Sequence, residues 1–234
     1  VDFSGITYAY WDDNPTAWYG ELDGANHIVA NYTQNIDGKE DKTVGCFGVI
    51  RRMTGGVIKD LTVKNAYIRT LNRRDKGGAS VYALGALVGK IQNESSGSYT
   101  DVQITNVTVD GATIIKMGRD GRKNDYGREC GGIVGWTNKK TVFTNCKVVN
   151  SKVSPNQDDN RRGNKEGGFL GKSEGAEVII QNDTQMVSVD AATTVYADDL
   201  SDKDSDHGGL IGWTSGKTTI KNVIMNATVY SGQS

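Results

Sequence analysis

Apolar residues in this chain fall into short runs that never exceed a few positions, and two patterns of them recur. The first is a glycine-bracketed apolar pair, read as Gly45-Cys46-Phe47-Gly48, Ala86-Leu87-Val88-Gly89, Gly132-Ile133-Val134-Gly135, Gly168-Phe169-Leu170-Gly171 and Gly209-Leu210-Ile211-Gly212. The second is an alternating, β-branched segment around an Asn or Asp, as in Ile58-Lys59-Asp60-Leu61-Thr62-Val63 and Ile104-Thr105-Asn106-Val107-Thr108-Val109. Phe143 to Val148 and Ile220 to Met225 repeat it around Asn145 and Asn222. Both patterns predict strands. In the second, apolar residues lie two before the Asn or Asp and one and three after it, so the alternation changes phase there and the chain is expected to turn a corner. Asn and Asp tolerate left-handed backbone better than other non-glycine residues, which predicts a ladder of stacked amides inside that corner. Asn182 breaks the rule, because Asp183, Thr184 and Gln185 intervene before Met186 and Val187 restore the pattern; a local bulge or insertion is expected.

Self-similarity at a period of about 40 residues marks a solenoid, propeller or array. A propeller blade needs four antiparallel strands. Each unit here offers two clear strands and one weaker segment, such as Ala66-Tyr67-Ile68 or Ala227-Thr228-Val229-Tyr230. The expectation is therefore an all-β chain forming a right-handed parallel β-helix of about five coils. Residues 1–44 would supply an N-terminal cap and leader strands, with Trp11, Trp18, Ile28, Val29 and Tyr32 available to close the first edge, and residues 45–234 the five-unit solenoid. Both residues of each cassette pair are apolar although strand neighbours face opposite ways, so one column is expected to point outward under some cover.

Composition narrows the function classes. Gly is abundant, at 30 of 234 residues, and Pro is scarce at 2, as short strands and turns require. The 27 basic and 28 acidic residues nearly cancel, so no global field argues for nucleic acid or an anionic membrane surface. No apolar run is long enough to cross a bilayer. The start Val1-Asp2-Phe3-Ser4 lacks the regions of a signal peptide and reads as an excised mature fragment. Cys46, Cys130 and Cys146 have no metal-like spacing. They read as small buried hydrophobes; a Cys130–Cys146 disulfide would suit a secreted chain, but nothing in the spacing demands it.

Gly131-Gly132-Ile133-Val134-Gly135-Trp136-Thr137, running into Thr144-Asn145-Cys146-Lys147-Val148, resembles the GLUG-motif repeat. Gly208-Gly209-Leu210-Ile211-Gly212 with Lys221-Asn222-Val223 is similar, and Trp18 to Ile28 resembles the leader that precedes such repeats. The resemblance implies a bacterial secreted or surface-anchored protein whose repeats form β-helical stalks or adhesive modules. It implies neither a defined ligand nor catalytic residues.

Candidate functional residues lie in two places. Long polar segments precede each glycine pair: Arg69 to Lys76 with Arg73 and Arg74, Lys116 to Tyr126 with Arg119 and Arg122, Asn156 to Arg162, and Asp198 to His207. Insertions at one place in every unit emerge on one side, which is the expected binding face unless these are simply solvated loops. Asp202, Asp204 and Asp206 alternate before Gly208, a partial match to a calcium loop; calcium and an unliganded acidic loop are both open readings. The second place is the column following the closing glycines: Val49, Lys90, Trp136, Lys172 and Trp213. Here Lys and Trp would alternate between neighbouring coils, either bracing the stack by cation–π contact or offering Trp136 and Trp213 as a platform for sugar rings. Enzyme signatures are sparse: only His27 and His207 are present, with no glycine-flanked serine nucleophile and no phosphate loop. Asp158-Asp159 or Asp198-Asp199 would act as an acid and base pair only in a shared groove. The expected function is thus a non-catalytic bacterial extracellular module for cell adhesion or glycan and host-surface recognition. Its partners would be a surface glycan or protein and other domains of the full-length protein. A carbohydrate-active β-helix enzyme and a purely structural stalk are the alternatives.

Overall fold

The computed structural model describes residues 1–4, 7–8, 17–38, 46–72, 82–93, 100–117, 128–154, 165–196 and 206–230. Among them there is no helix, and the strands pair in parallel throughout. Three sheets result, of seven, five and eleven strands. The arrangement is consistent with the expected β-helix.

The third repeat shows the path. Strand Arg128–Gly131 lies in the five-stranded sheet, and the chain bends at Gly132 and Ile133 into Val134–Thr137 of the eleven-stranded sheet. Strands Thr141–Thr144 and Lys147–Val149 continue that sheet on either side of Asn145, and Lys152–Val153 enters the seven-stranded sheet. The weak third segments of the sequence are thus real strands, Tyr67–Asn72 and Thr228–Tyr230 among them, and Arg69 to Asn72 belong to a strand rather than to a loop.

Asp60, Asn106, Asn145 and Asn222 all adopt left-handed backbone, with φ of 53, 53, 53 and 56°. Ile58, Leu61 and Val63 flank the first of these and are buried, as are Ile104, Val107 and Val109 around the second, so the change of phase turns every apolar side chain inward. The amide ladder exists, since Asn106 Nδ2 donates to Asp60 Oδ1 at 2.8 Å, but it faces solvent instead of lying inside the corner. The interior of the corner is filled by the apolar neighbours, which would lose contacts to any amide placed there. A bulge interrupts the fourth repeat between Gln181 and Met186, where the sequence departs from its rule. A second corner was missed. Asn31, Asn65, Gly111 and Asn150 are also left-handed, with φ of 57, 53, 69 and 51°. Asn150 Nδ2 donates to Asp110 Oδ1 at 2.9 Å, and Asn65 Nδ2 to Asn31 Oδ1 at 3.3 Å.

Two expectations are corrected by register. In the first repeat Cys46 and Phe47 pair with Ala83 and Leu84, while Ile50 pairs with Val88. Gly48 is therefore the counterpart of Gly85, an opening glycine, and that repeat is one residue shorter in its bend than the next. Neither does one cassette column point outward. Leu87, Val88, Ile133, Val134, Phe169 and Leu170 are all fully buried, because the first of each pair sits in the bend and swings inward with the second. Each such side chain contributes on the order of 1.5–3 kcal/mol by leaving water.

The leader Trp18–Ala30 stacks in parallel on Ile50–Lys64, with Leu22 opposite Ile58 and Val29 opposite Val63. Val1 to Phe3 hydrogen-bond along its far edge at Ala30, and Thr7–Tyr8 pairs with Thr33–Gly38. Trp11 lies outside the described residues.

Candidate functional site: a lysine and tryptophan column over a buried carboxylate

Register places Lys90, Trp136, Lys172 and Trp213 in one row across four neighbouring strands. The fifth member is Arg52, which pairs with Lys90; Val49 falls outside the row because Gly48 is the counterpart of Gly85 and not of the closing Gly89. Lys90 Nζ lies 4.4 Å from the Trp136 ring centroid and Lys172 Nζ 5.2 Å from that of Trp213. Both distances are within cation–π range, worth about 0.5–1 kcal/mol each at exposed sites. Trp136 is only 7% exposed, and its ring packs with Cys46 and Ala83 in a small cluster of its own. Its indole Nε1 donates to Glu174 Oε2 at 3.2 Å. Trp213, in the last repeat, is half-buried.

Beneath this row lies a residue the sequence did not single out. Glu129, in the strand preceding the third glycine pair, has a side chain only 3% exposed. Its Oε1 is 3.9 Å from Lys172 Nζ, which sits closer, at 3.3 Å, to the more exposed Glu174. The other oxygen, Oε2, finds no hydrogen-bond donor among the described residues. Burial pushes the Glu129 carboxyl up to about 7; Lys172 and Lys90 oppose the rise, and the charge of Glu174 adds to it. The one sequence signal was an acidic residue in a strand whose register partners are Ala83 and Lys165. One position along, Cys130, Glu166 and His207 form a row, and the fully buried Glu166 carboxylate pairs with the His207 imidazole.

The remaining candidates are dispersed. Asp206 opens a strand of the five-stranded sheet, and its carboxylate engages the Lys165 ammonium. Asp202 and Asp204 lie outside the described residues, as do Arg73, Arg74, Arg119, Arg122 and the pairs Asp158-Asp159 and Asp198-Asp199. No cluster of three metal-ligating side chains occurs among the described residues. All three cysteines are thiols and buried. His27 sits in the leader, with Nδ1 2.9 Å from Gly24 O, as a structural hydrogen-bonding group would. No helix among the described residues is long and apolar enough to cross a membrane.

What can be placed is where the polar segments depart. Segments 39–45, 73–81, 118–127, 155–164 and 197–205 each connect a strand of the seven-stranded sheet to a strand of the five-stranded sheet. They therefore leave and re-enter along one corner of the stack. No known family model matches the chain, and neither a curated protein nor a solved structure does.

Proposed function

We propose that the chain is a right-handed parallel β-helix of about five coils, serving as a non-catalytic module of a bacterial extracellular or surface-anchored protein, for adhesion or recognition of a glycan or protein on a host surface. Right-handedness follows from the rule for parallel strands joined by a crossover, which almost always winds that way. The observation that carries the functional reading is the shared departure corner of the five connections. A repeated scaffold that presents five variable segments along one line separates a rigid core from an adaptable surface, which is where binding residues concentrate. Arg73, Arg74, Arg119 and Arg122 belong to those connecting segments, as does the acidic run at Asp202 and Asp204, with Asp206 opening the strand that follows. Trp136, at 7% exposure and held by Lys90 and Glu174, acts as a brace in this reading, which leaves Trp213 as the accessible aromatic of the row.

One observation favours the enzyme alternative: Glu129 and Glu174 are two carboxylates in different surroundings on either side of Lys172, the pattern of an acid and a base. The depth of Glu129 weighs against it, because a saccharide has to reach the proton it receives.

The test is retention on immobilised host and plant polysaccharides, with and without calcium, scoring bound protein and released fragments together. Retention without fragments, weakened about tenfold or more in the double variant Arg73→Ala/Arg74→Ala, is the expected result. Release of new saccharide ends sinks the non-catalytic reading, and silence on every surface favours the stalk.

A further inference from the structure

We infer that Glu129, Lys172 and Glu174 form a proton-operated brace that stabilises the stack beside Trp136 as the surroundings acidify. The geometry carries it. Lys172 stands between two carboxylates and under one tryptophan of its row, and Glu174 holds both Lys172 and the Trp136 indole. Glu129 is the weak member. Its contact with the ammonium is long, and Oε2 is buried with no donor among the described residues. A buried carboxylate so poorly compensated costs far more ionised than neutral. Protonation removes that cost, and Lys172 then belongs wholly to Glu174, which keeps its hydrogen bond from the Trp136 indole of the third repeat.

The groups that face Glu129 leave the argument intact. Lys172 and the nearby Glu174 come from the next repeat and Lys90 from the preceding one, and its register partner on that preceding side is the uncharged Ala83, which clusters with Trp136. Lys165, its register partner, is engaged by Asp206. Beyond Ala83 lies the Cys46 thiol, which burial holds in its neutral form and which feels Arg51 and Arg52. The folded protein raises the Glu129 carboxyl above its unfolded value, so the stabilisation is complete below the ordinary carboxylate range and is lost as pH rises through about 7. Between pH 5.5 and 8.5 the folded-to-unfolded ratio should fall by up to about thirtyfold from this group alone.

Denaturant unfolding and the Trp136 indole N–H resonance, assigned with Trp136→Phe, would be followed over that range in the wild-type chain and in Glu129→Gln. The expected result is a transition near pH 7 in both readouts for the wild type, absent in Glu129→Gln, which should be the more stable protein at pH 8.5. Because both proteins carry His27 and His207, their difference isolates Glu129. An unchanged pH profile in Glu129→Gln overturns the proposal, as does a flat wild-type profile. Should the variant not fold, the Glu129 carboxyl ¹³C resonance of the wild-type chain decides instead: titration near 7 supports the brace, and titration near 4.5 refutes it.

Discussion

Asn145 and Asp183 exchange two hydrogen bonds across the irregular fourth repeat: Asn145 Nδ2 donates to Asp183 Oδ2 at 2.6 Å, and the Asp183 backbone N–H donates to Asn145 Oδ1 at 3.0 Å. The bulge after Gln181 thus supplies a carboxylate where the corner ladder would otherwise lose its partner, and on the far side Asn222 Nδ2 donates to the Asn182 backbone carbonyl at 2.8 Å.

Asn145 carries both a left-handed backbone and this pair of bonds, and substitutions separate the two. Asn145→Gly keeps the backbone and loses the bonds, at about 1 kcal/mol for an exposed pair. Asn145→Ala loses the bonds and adds left-handed strain, for a total of about 2–3 kcal/mol. Denaturant midpoints should therefore fall in the order wild type, glycine, alanine. If the alanine variant proves as stable as the glycine one, the backbone contribution argued for this corner is wrong.

Two glycines test how far the glycine brackets are set by space and how far by conformation. A Cβ on Gly131 would lie 1.9 Å from Val134 O and 2.7 Å from Gly171 N, so both obstacles are backbone. Gly131→Ala has no rotamer to escape into and is expected to cost about 3 kcal/mol or to prevent folding. Gly175 has a φ of 67° and nothing within 4 Å of the added carbon, so Gly175→Ala should cost only the left-handed penalty of about 1 kcal/mol. Thermal unfolding of the two variants checks both, and equal losses would contradict the close approach at the bend.

The corners and cassettes were legible because their rules are local: a phase change of apolar residues about Asp60 or Asn106 needs nothing beyond six neighbouring side chains. The first repeat was misread for the same reason. Gly45 and Gly48 bracket Cys46 and Phe47 as the other glycines bracket their pairs, and only the pairing of Ile50 with Val88 reveals the missing residue. The second corner left a fainter trace, since Asn65, Gly111 and Asn150 each follow the first corner residue by the same interval but mix glycine with asparagine. Glu129 had no trace strong enough. Its character comes from burial among strands of other repeats and from a lysine of the next repeat, and no short window of sequence contains both.

The cysteines offer a direct check on burial. Burial pushes the Cys146 thiol up to about 12, and its Sγ lies 3.2 Å from Ile104 O; Cys46 is raised by burial as well. In the native protein at pH 8, a thiol reagent should label Cys146 more than about a hundredfold slower than in the denatured chain, because little thiolate forms and none is accessible. Three thiols should appear on denaturation without a reductant. Rapid native labelling of Cys146 would show that the interior between the corners is open.

The two ends of the stack differ in kind. At one end, Val1 to Phe3 bind along the edge at Ala30. At the other, Ile220, Met225 and Val229 stand 54, 44 and 40% exposed, although their register partners Ile180, Val189 and Val195 are almost wholly buried. Where each repeat rests on its neighbours, the least covered repeat of this chain is expected to open first. Amide exchange should begin along Thr218–Met225 and advance toward Asn106 as a front, and a pulling force applied to both termini would peel the repeats away in that same order.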